Sequence, residues 1–364
     1  MPKNFFRVTG SLGLACALLT LTACGGRTSN GSLQNDAVVR GRLGTTLDAF
    51  LTQSAAEGFS GAVLVAKDGE VILQKGYGLA DRARGIPNSA HTIFNICSMS
   101  KIFTATAILH LEMQGKLKLS DRLEKHLGNF PGKKSTATIH HLLTHTAGLV
   151  VGGTEIDNSS RAAFIQAMKD APFESVPGEE YRYTNAGYSL LAALVEEVSG
   201  QSFESYVQKY LLKPTGMTDT AFLGEIEPGN SRLARGYRDE KATEPADLGP
   251  FVWGYRGAGG MLATLGDLYT WELALRNNTV LSEEATKKMF TAYFRDEGYG
   301  WHVNKTDRGT TLHHRGCGNP GFEGQFARYP DDDVTILLTS NNRNGWRRPI
   351  WEGIELRVFK EAQN

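Results

Sequence analysis

Short β-prone runs bounded by turn residues lie near both ends of the chain, and helical periodicity lies between them. Gly61 to Ala66 and Val71 to Tyr77, separated by Lys67-Asp68-Gly69, predict two strands around a tight Asp-Gly turn. A second β-rich zone, Thr310 to His314, Gly324 to Tyr329 and Val334 to Ser340, is broken by Gly, Pro and Asp turns. From Lys101 to Gln114 the apolar residues run nearly all round, which marks a buried helix ended by Gly115. Tyr188 to Val198 is amphipathic and stops before Gly200; Ser202 then opens a helix through Leu211, and Trp346 to Glu361 predicts the last one. Strands at both ends around a helical middle predict an α+β protein: one antiparallel sheet formed by N- and C-terminal strands, flanked by helices, with a mostly helical lobe.

Composition narrows the class. The 364 residues carry 39 Lys plus Arg against 39 Asp plus Glu, a zero sum that argues against a nucleic-acid partner. With 41% hydrophobic residues a large core can be buried, and no repeat or linker interrupts the chain. Met1 to Ala23 has Lys3, Arg7 and no acid, followed by a largely apolar run from Val8 that reads as a secretory signal. A membrane span needs about 20 apolar residues, and this run contains Thr9, Gly10, Ser11 and Gly13. It ends Leu21-Thr22-Ala23-Cys24, which resembles the bacterial lipobox and implies lipidation of Cys24. The expected organisation is therefore residues 1–23 as a lipoprotein signal peptide, 24–40 as a flexible tether and 41–364 as one folded domain. The lipid, not charge, would hold the mature chain on a membrane, periplasmic or at the cell surface.

Candidate chemistry begins where the buried helix opens, at Ser98-Met99-Ser100-Lys101. Helical positions i and i+3 share a face, so the Ser98 hydroxyl and Lys101 amine can meet. A serine hydroxyl needs a base, and a lysine serves only when desolvation lowers its pKa, which an apolar helix supplies. Tyr183-Thr184-Asn185 forms the Y-x-N of the chain; its tyrosine can relay a proton and its asparagine offers a donor and an acceptor. Equally, these are a turn tyrosine and a helix-capping asparagine. H-x-G occurs twice, at His126-Leu127-Gly128 and His314-Arg315-Gly316, and only the second lies at a predicted strand end.

The order S-x-x-K, Y-x-N, H-x-G, with 85 residues from Ser98 to Tyr183, resembles the serine hydrolase family of class C β-lactamases, DD-peptidases and related esterases. Thr138 to Leu149, Gly115 to Asp121, Gly259 to Thr264 and Gly321-Phe322 extend the resemblance to about residues 45–362. It implies that Ser98 is the acylated nucleophile and that Lys101 and Tyr183 move its proton. It implies further that Asn185 holds the substrate amide, and that His314, Gly316 and Cys317 line the substrate strand. The Ser98 and Cys317 N–H groups would form an oxyanion hole. True β-lactamases carry a lysine where His314 stands, so weak β-lactam recognition is expected unless Arg315 supplies the charge. The implied substrate is an ester, a peptide or a β-lactam, with no cofactor. The alternative is a penicillin-binding sensor that acylates without efficient turnover.

Three further readings stay open at this level. His141 and His145 have metal-ligand spacing but lack the Glu of H-E-x-x-H, so no metal is expected. Cys97 and Cys317 flank the proposed nucleophile and oxyanion donor and are expected as free thiols rather than a disulfide. Trp253, Tyr255, Tyr299 and Trp301 line the substrate pocket or pack in the core.

Overall fold

The two chain ends meet in one seven-stranded antiparallel sheet in the computed structural model, which describes residues 36–149, 159–238, 241–243, 252–318 and 321–360. The signal segment and Cys24 lie outside the described residues. Strands β1 (Val38–Val39), β2 (Gly61–Lys67), β3 (Glu70–Tyr77), β4 (His302–Thr306), β5 (Gly309–Gly318), β6 (Phe322–Tyr329) and β7 (Val334–Ser340) stand in the order β1-β3-β2-β7-β6-β5-β4. The β2–β3 turn puts Asp68 and Gly69 both at positive φ, the backbone a two-residue type I′ hairpin requires. Val38 and Val39, within the expected tether, pair instead with Gln74 and Leu73, so the folded region starts earlier than residue 41.

Alternation along the strands divides the core in two. Ala62, Leu64, Phe326 and Leu337 face the helical lobe, while Val63, Val65, Ile336 and Leu338 face α1 (Gly41–Ala56) and the C-terminal helix. Leu47 and Leu51 of α1 are fully buried there, although this helix is absent from the sequence-based expectation. In the lobe, α2 (Ser100–Met113) is the innermost helix, buried on every side through Leu109 as its all-round apolar pattern predicts. The short α3 (Ile139–Leu143) is opened by Thr138 in a capping box with His141. Next, α4 (Asn185–Ser199) packs on α2 and ends at Gly200 in the left-handed region, a position suited to glycine. The helix expected from Ser202 to Leu211 is α-helical only over Phe203–Val207 and continues as a π-turn to Leu212. Two further helices, α5 (Leu265–Arg276), capped by Thr264, and α6 (Arg347–Lys360), complete the frame used below. Among the described residues no helix is long and apolar enough to cross a membrane.

Candidate active site

The sequence places Ser98 in the opening turn of the buried helix, and the structure places it just before that helix. It lies in a 3-10 turn, Cys97–Met99, and α2 begins at Ser100. The preceding Cys97 has φ +50°, a conformation costing a non-glycine residue on the order of 1–3 kcal/mol. Neighbours hold it there: Cys97 N–H donates to Asn95 Oδ1 (2.8 Å), and Ser100 Oγ donates to the Cys97 carbonyl (2.6 Å) while accepting from Met261 N–H (3.2 Å). This strained turn leaves the Ser98 hydroxyl half-buried at the mouth of the lobe.

Lys101 is fully buried, and its Nζ stands 3.2 Å from Ser98 Oγ. The same nitrogen donates to Asn185 Oδ1 (2.8 Å) and to the Ala258 carbonyl (2.7 Å). Burial brings its pKa down to about 7. A neutral amine has two N–H groups and one lone pair; with both N–H groups committed to Asn185 and Ala258, the lone pair is left for the Ser98 proton. Tyr183 O–H donates to Ser98 Oγ at 2.8 Å. Burial pushes this phenol up to about 12 against the opposing hydrogen bond to Ser98, so it rests as a neutral donor rather than a phenolate. Ser98 Oγ thus stands between two proton-handling groups, the Tyr183 phenol that donates to it and the Lys101 amine that can take its proton when neutral.

The supporting residues explain how an apolar lobe presents this chain. His145 stacks against Tyr183 (4.6 Å between centroids, 35°) and Tyr188 (5.0 Å), and its Nδ1 accepts from Thr184 N–H (3.3 Å), which fixes the backbone between Tyr183 and Asn185. His141 Nδ1 accepts from Thr138 N–H (3.3 Å), so each ring of the pair with metal-ligand spacing already serves a backbone amide. Lys101 Nζ lies 4.9 Å from the centre of the Tyr183 ring and 5.6 Å from that of Tyr188. Gly257 is at φ +72°, where a Cβ would meet the Tyr188 carbonyl at 2.5 Å; this close approach delivers the neighbouring Ala258 carbonyl to Lys101. Ala258 and His145 were missed as site residues in the sequence. The glycines around Ala258 and the motif Thr138 to Leu149 were the available signals.

The substrate strand borders the nucleophile directly. β4 pairs with β5 only as far as His302↔His313, so the stretch beyond His313 has a free edge on that side. A Cβ on Gly316 would lie 2.4 Å from the Ile96 carbonyl and one on Gly318 2.6 Å from Cys97 Sγ; glycine is what lets β5, with the Cys317 backbone, run beside the Ser98 turn. His314 is buried on the same face, and its Nδ1–H donates to the Gly300 carbonyl (3.0 Å). Burial, followed by the charge of Lys101, holds its pKa well below the usual histidine range, so it is neutral at pH 7. Arg315, which was to supply the missing charge, emerges from the opposite face of β5, into a groove against α6. Alternation turns the Cys317 side chain the same way, whereas Cys97 Sγ packs beside Gly318; both thiols are free. Trp253, Tyr299 and Trp301 are core residues, and only Tyr255 of that aromatic set is exposed. The other H-x-G, at His126, is placed elsewhere, with the ring 3.1 Å from Asp121.

An activated serine between an amine and a phenol, set beside a sheet edge, is the constellation of a serine acyl-transfer site. The Beta-lactamase family model matches residues 46–354, and the chain belongs to this family of β-lactamase-like serine hydrolases. It is 34% identical over 291 residues to the putative penicillin-binding protein PbpX of Bacillus subtilis, covering 79% of this chain and 72% of that protein. Among solved structures it resembles the octameric penicillin-binding protein homologue from Pyrococcus abyssi (TM-score 0.77, 26% identity, 88% of this chain and 78% of that chain). A class C β-lactamase shares the fold at TM-score 0.78 and 19% identity, over 88% of this chain and 97% of the other.

Proposed function

We propose that the protein hydrolyses an ester or a D-amino-acid peptide amide through an acyl-enzyme on Ser98. The observation that carries this reading is Ser98 Oγ within hydrogen-bond distance of both the Tyr183 phenol and the Lys101 amine, with the lysine pKa near neutrality. Neutral Lys101 takes the Ser98 proton as Oγ attacks the carbonyl carbon, and the resulting oxyanion lies between the N–H groups of Ser98 and Cys317. The proton passes through Tyr183 to the leaving oxygen or nitrogen as the scissile bond breaks. Water then attacks the acyl-enzyme ester, giving a proton to the same pair, which returns it to Ser98 Oγ as the acid is released. Asn185, exposed and held through Oδ1 by Lys101, keeps its amide N–H groups for the substrate.

His314 is neutral and offers no fixed charge, which supports uncharged esters and amides over β-lactams as good substrates; β-lactamase activity is weak on this reading. The protein would act outside the cytoplasm, as a bacterial lipoprotein tethered through Cys24 in the periplasm or at the cell surface. A p-nitrophenyl ester, a D-Ala-D-Ala peptide and a chromogenic cephalosporin, each assayed with wild type and Ser98→Ala, test the activity. Turnover confined to wild type is expected, and turnover that survives Ser98→Ala would remove Ser98 from the chemistry. The penicillin-binding names of its relatives favour a second reading, a sensor that acylates slowly and hydrolyses poorly; a stoichiometric adduct without turnover identifies it. Mass spectrometry of the mature N-terminus tests the anchor, with a diacylglyceryl Cys24 expected and an unmodified terminus sinking it.

A further inference from the structure

The outer face of β5 carries a second polar depression, separated from Ser98 by the thickness of the sheet. It is a groove of about 520 Å³ between β4–β6 and the first two turns of α6. Strand alternation sends His313 and Arg315 into it, the reverse of the face that holds His314. Arg347, the first residue of α6, enters from the other wall. Among the described residues Arg315 has no ion-pair or hydrogen-bond partner, and Arg347 donates to a neutral acceptor, Gln325 Oε1, at 2.9 Å. Burial and the neighbouring Arg315 charge both lower the Arg347 pKa, so the two guanidinium groups are close enough to repel. His313 Nδ1 faces the Asn304 amide at 3.3 Å, which leaves Nε2 as its remaining donor.

The acids nearby are already engaged. Arg348 holds Glu352 at 2.7 Å, Tyr329 O–H donates to Glu355, and Glu323, whose charge also reaches Arg347, is shared with Arg343 at 3.9 Å. One end of the groove therefore gathers two arginines at a helix start, where Glu323 is the acid whose charge reaches Arg347 and, among the described residues, no acid pairs with Arg315. The other offers Thr306, Thr311, Asn304 and the two glutamates, groups that hydrogen-bond hydroxyls. Guanidinium pairs suit a phosphate because each fork makes two parallel bonds to it, and the first turn of a helix adds to the attraction. A cavity of this size holds a small molecule rather than a lone ion.

We propose that this groove is a binding site for a phosphate monoester on a sugar-sized polyol, with Arg315 and Arg347 clamping the phosphate and the glutamate and threonine end taking the hydroxyls. The site is built on the strand whose inner face lines the Ser98 site, yet its occupant does not enter that site. Calorimetric titration of the full-length protein with glucose 6-phosphate, inorganic phosphate and glucose tests it. Glucose 6-phosphate is expected to bind at least about fivefold tighter than phosphate, with glucose silent. Arg347→Gln should weaken binding about tenfold, the loss of one bidentate pair, at about 1.4 kcal/mol per tenfold. Ester turnover by that variant should stay within about twofold of wild type. Arg315→Ala provides a second variant should Arg347→Gln unfold, and it should weaken binding to a similar degree. No heat with glucose 6-phosphate at about 10 mM overturns the proposal. So does binding that persists in both variants, equal affinity for bare phosphate, or competition with the ester for the Ser98 site.

Discussion

Among the described residues two lysines are withdrawn from water, and only one of them faces a group that can lose a proton. Lys101 is fully buried and Lys134 is 8% exposed. Burial lowers the pKa of both. Lys134 donates to the carbonyls of Lys169 and Ala171, where the helix Arg161–Asp170 ends, and lies 5.4 Å from the Phe173 ring. It is a cation capping a helix C-terminus, bonded to oxygens that carry no hydrogen. Lys101 has one carbonyl and one amide oxygen as acceptors too, but its third neighbour is the Ser98 hydroxyl. Desolvation alone is thus a structural fact in one place and the basis of chemistry in the other; the neighbouring hydroxyl makes the difference.

The contrast can be broken most directly at Lys101. Lys101→Met should lower kcat/KM for the ester by about 10³-fold or more, at the upper part of the range for loss of a positioned base, with the fold kept as judged by circular dichroism. Activity within tenfold of wild type would show that another group takes the Ser98 proton. Tyr183→Phe removes the donor to Ser98 Oγ while keeping the ring against His145, and should cost about 10²-fold in kcat, at the lower end of the same range. An unchanged kcat would mean that the phenol only packs.

The pH dependence follows from the sign of the shift. The active form of Lys101 is the neutral amine, and with a pKa of about 7 the ammonium form predominates below it. The acylation rate should rise with pH through about 7 and fall roughly tenfold per unit on the acid side, the behaviour of a single titrating base. A flat profile between pH 5.5 and 8.5 would contradict the assignment. The smallest expected effect on activity sharpens the comparison from the other side. Lys134→Met should leave kcat and the pH midpoint in place while costing about 1–3 kcal/mol of stability, the price of two unpaired carbonyls, read as a lower Tm. A shift of the pH midpoint in that variant would erase the distinction between the two lysines.

Much of this arrangement could be read from the residues alone. The β2–β3 hairpin, the strands β5 to β7 and the helices α2 and α4 follow from turn residues and apolar spacing, and the structure links Ser98 to Lys101 and to Tyr183, and Lys101 to Asn185, by hydrogen bonds. The omissions have physical causes. Leu43, Leu47, Phe50, Leu51 and Ser54 share a face of α1, a signal that was there but lay beside an expected tether. β4, with the sequence His-Val-Asn-Lys-Thr, is an edge strand with one buried residue, too polar to stand out. The Ala258 carbonyl has no letter of its own, since a backbone acceptor acts whatever side chain it carries. The direction of Arg315 was in principle readable: once His314 points inward, the next residue of a strand points outward.

The pairing of β2 with β7 has a consequence in time. Val65 lies opposite Ile336 in the register, so the N-terminal hairpin waits for nearly the whole chain before its open edge is covered. Contacts of such sequence separation form late and slowly. A chain emerging end first, from a ribosome or through a membrane pore, would hold Gly61–Lys67 as an unpaired apolar strand until residues 334–340 arrive. The Ser98 turn rests against β5, which is itself among the last segments to appear, so the active site would be assembled only at the end of synthesis.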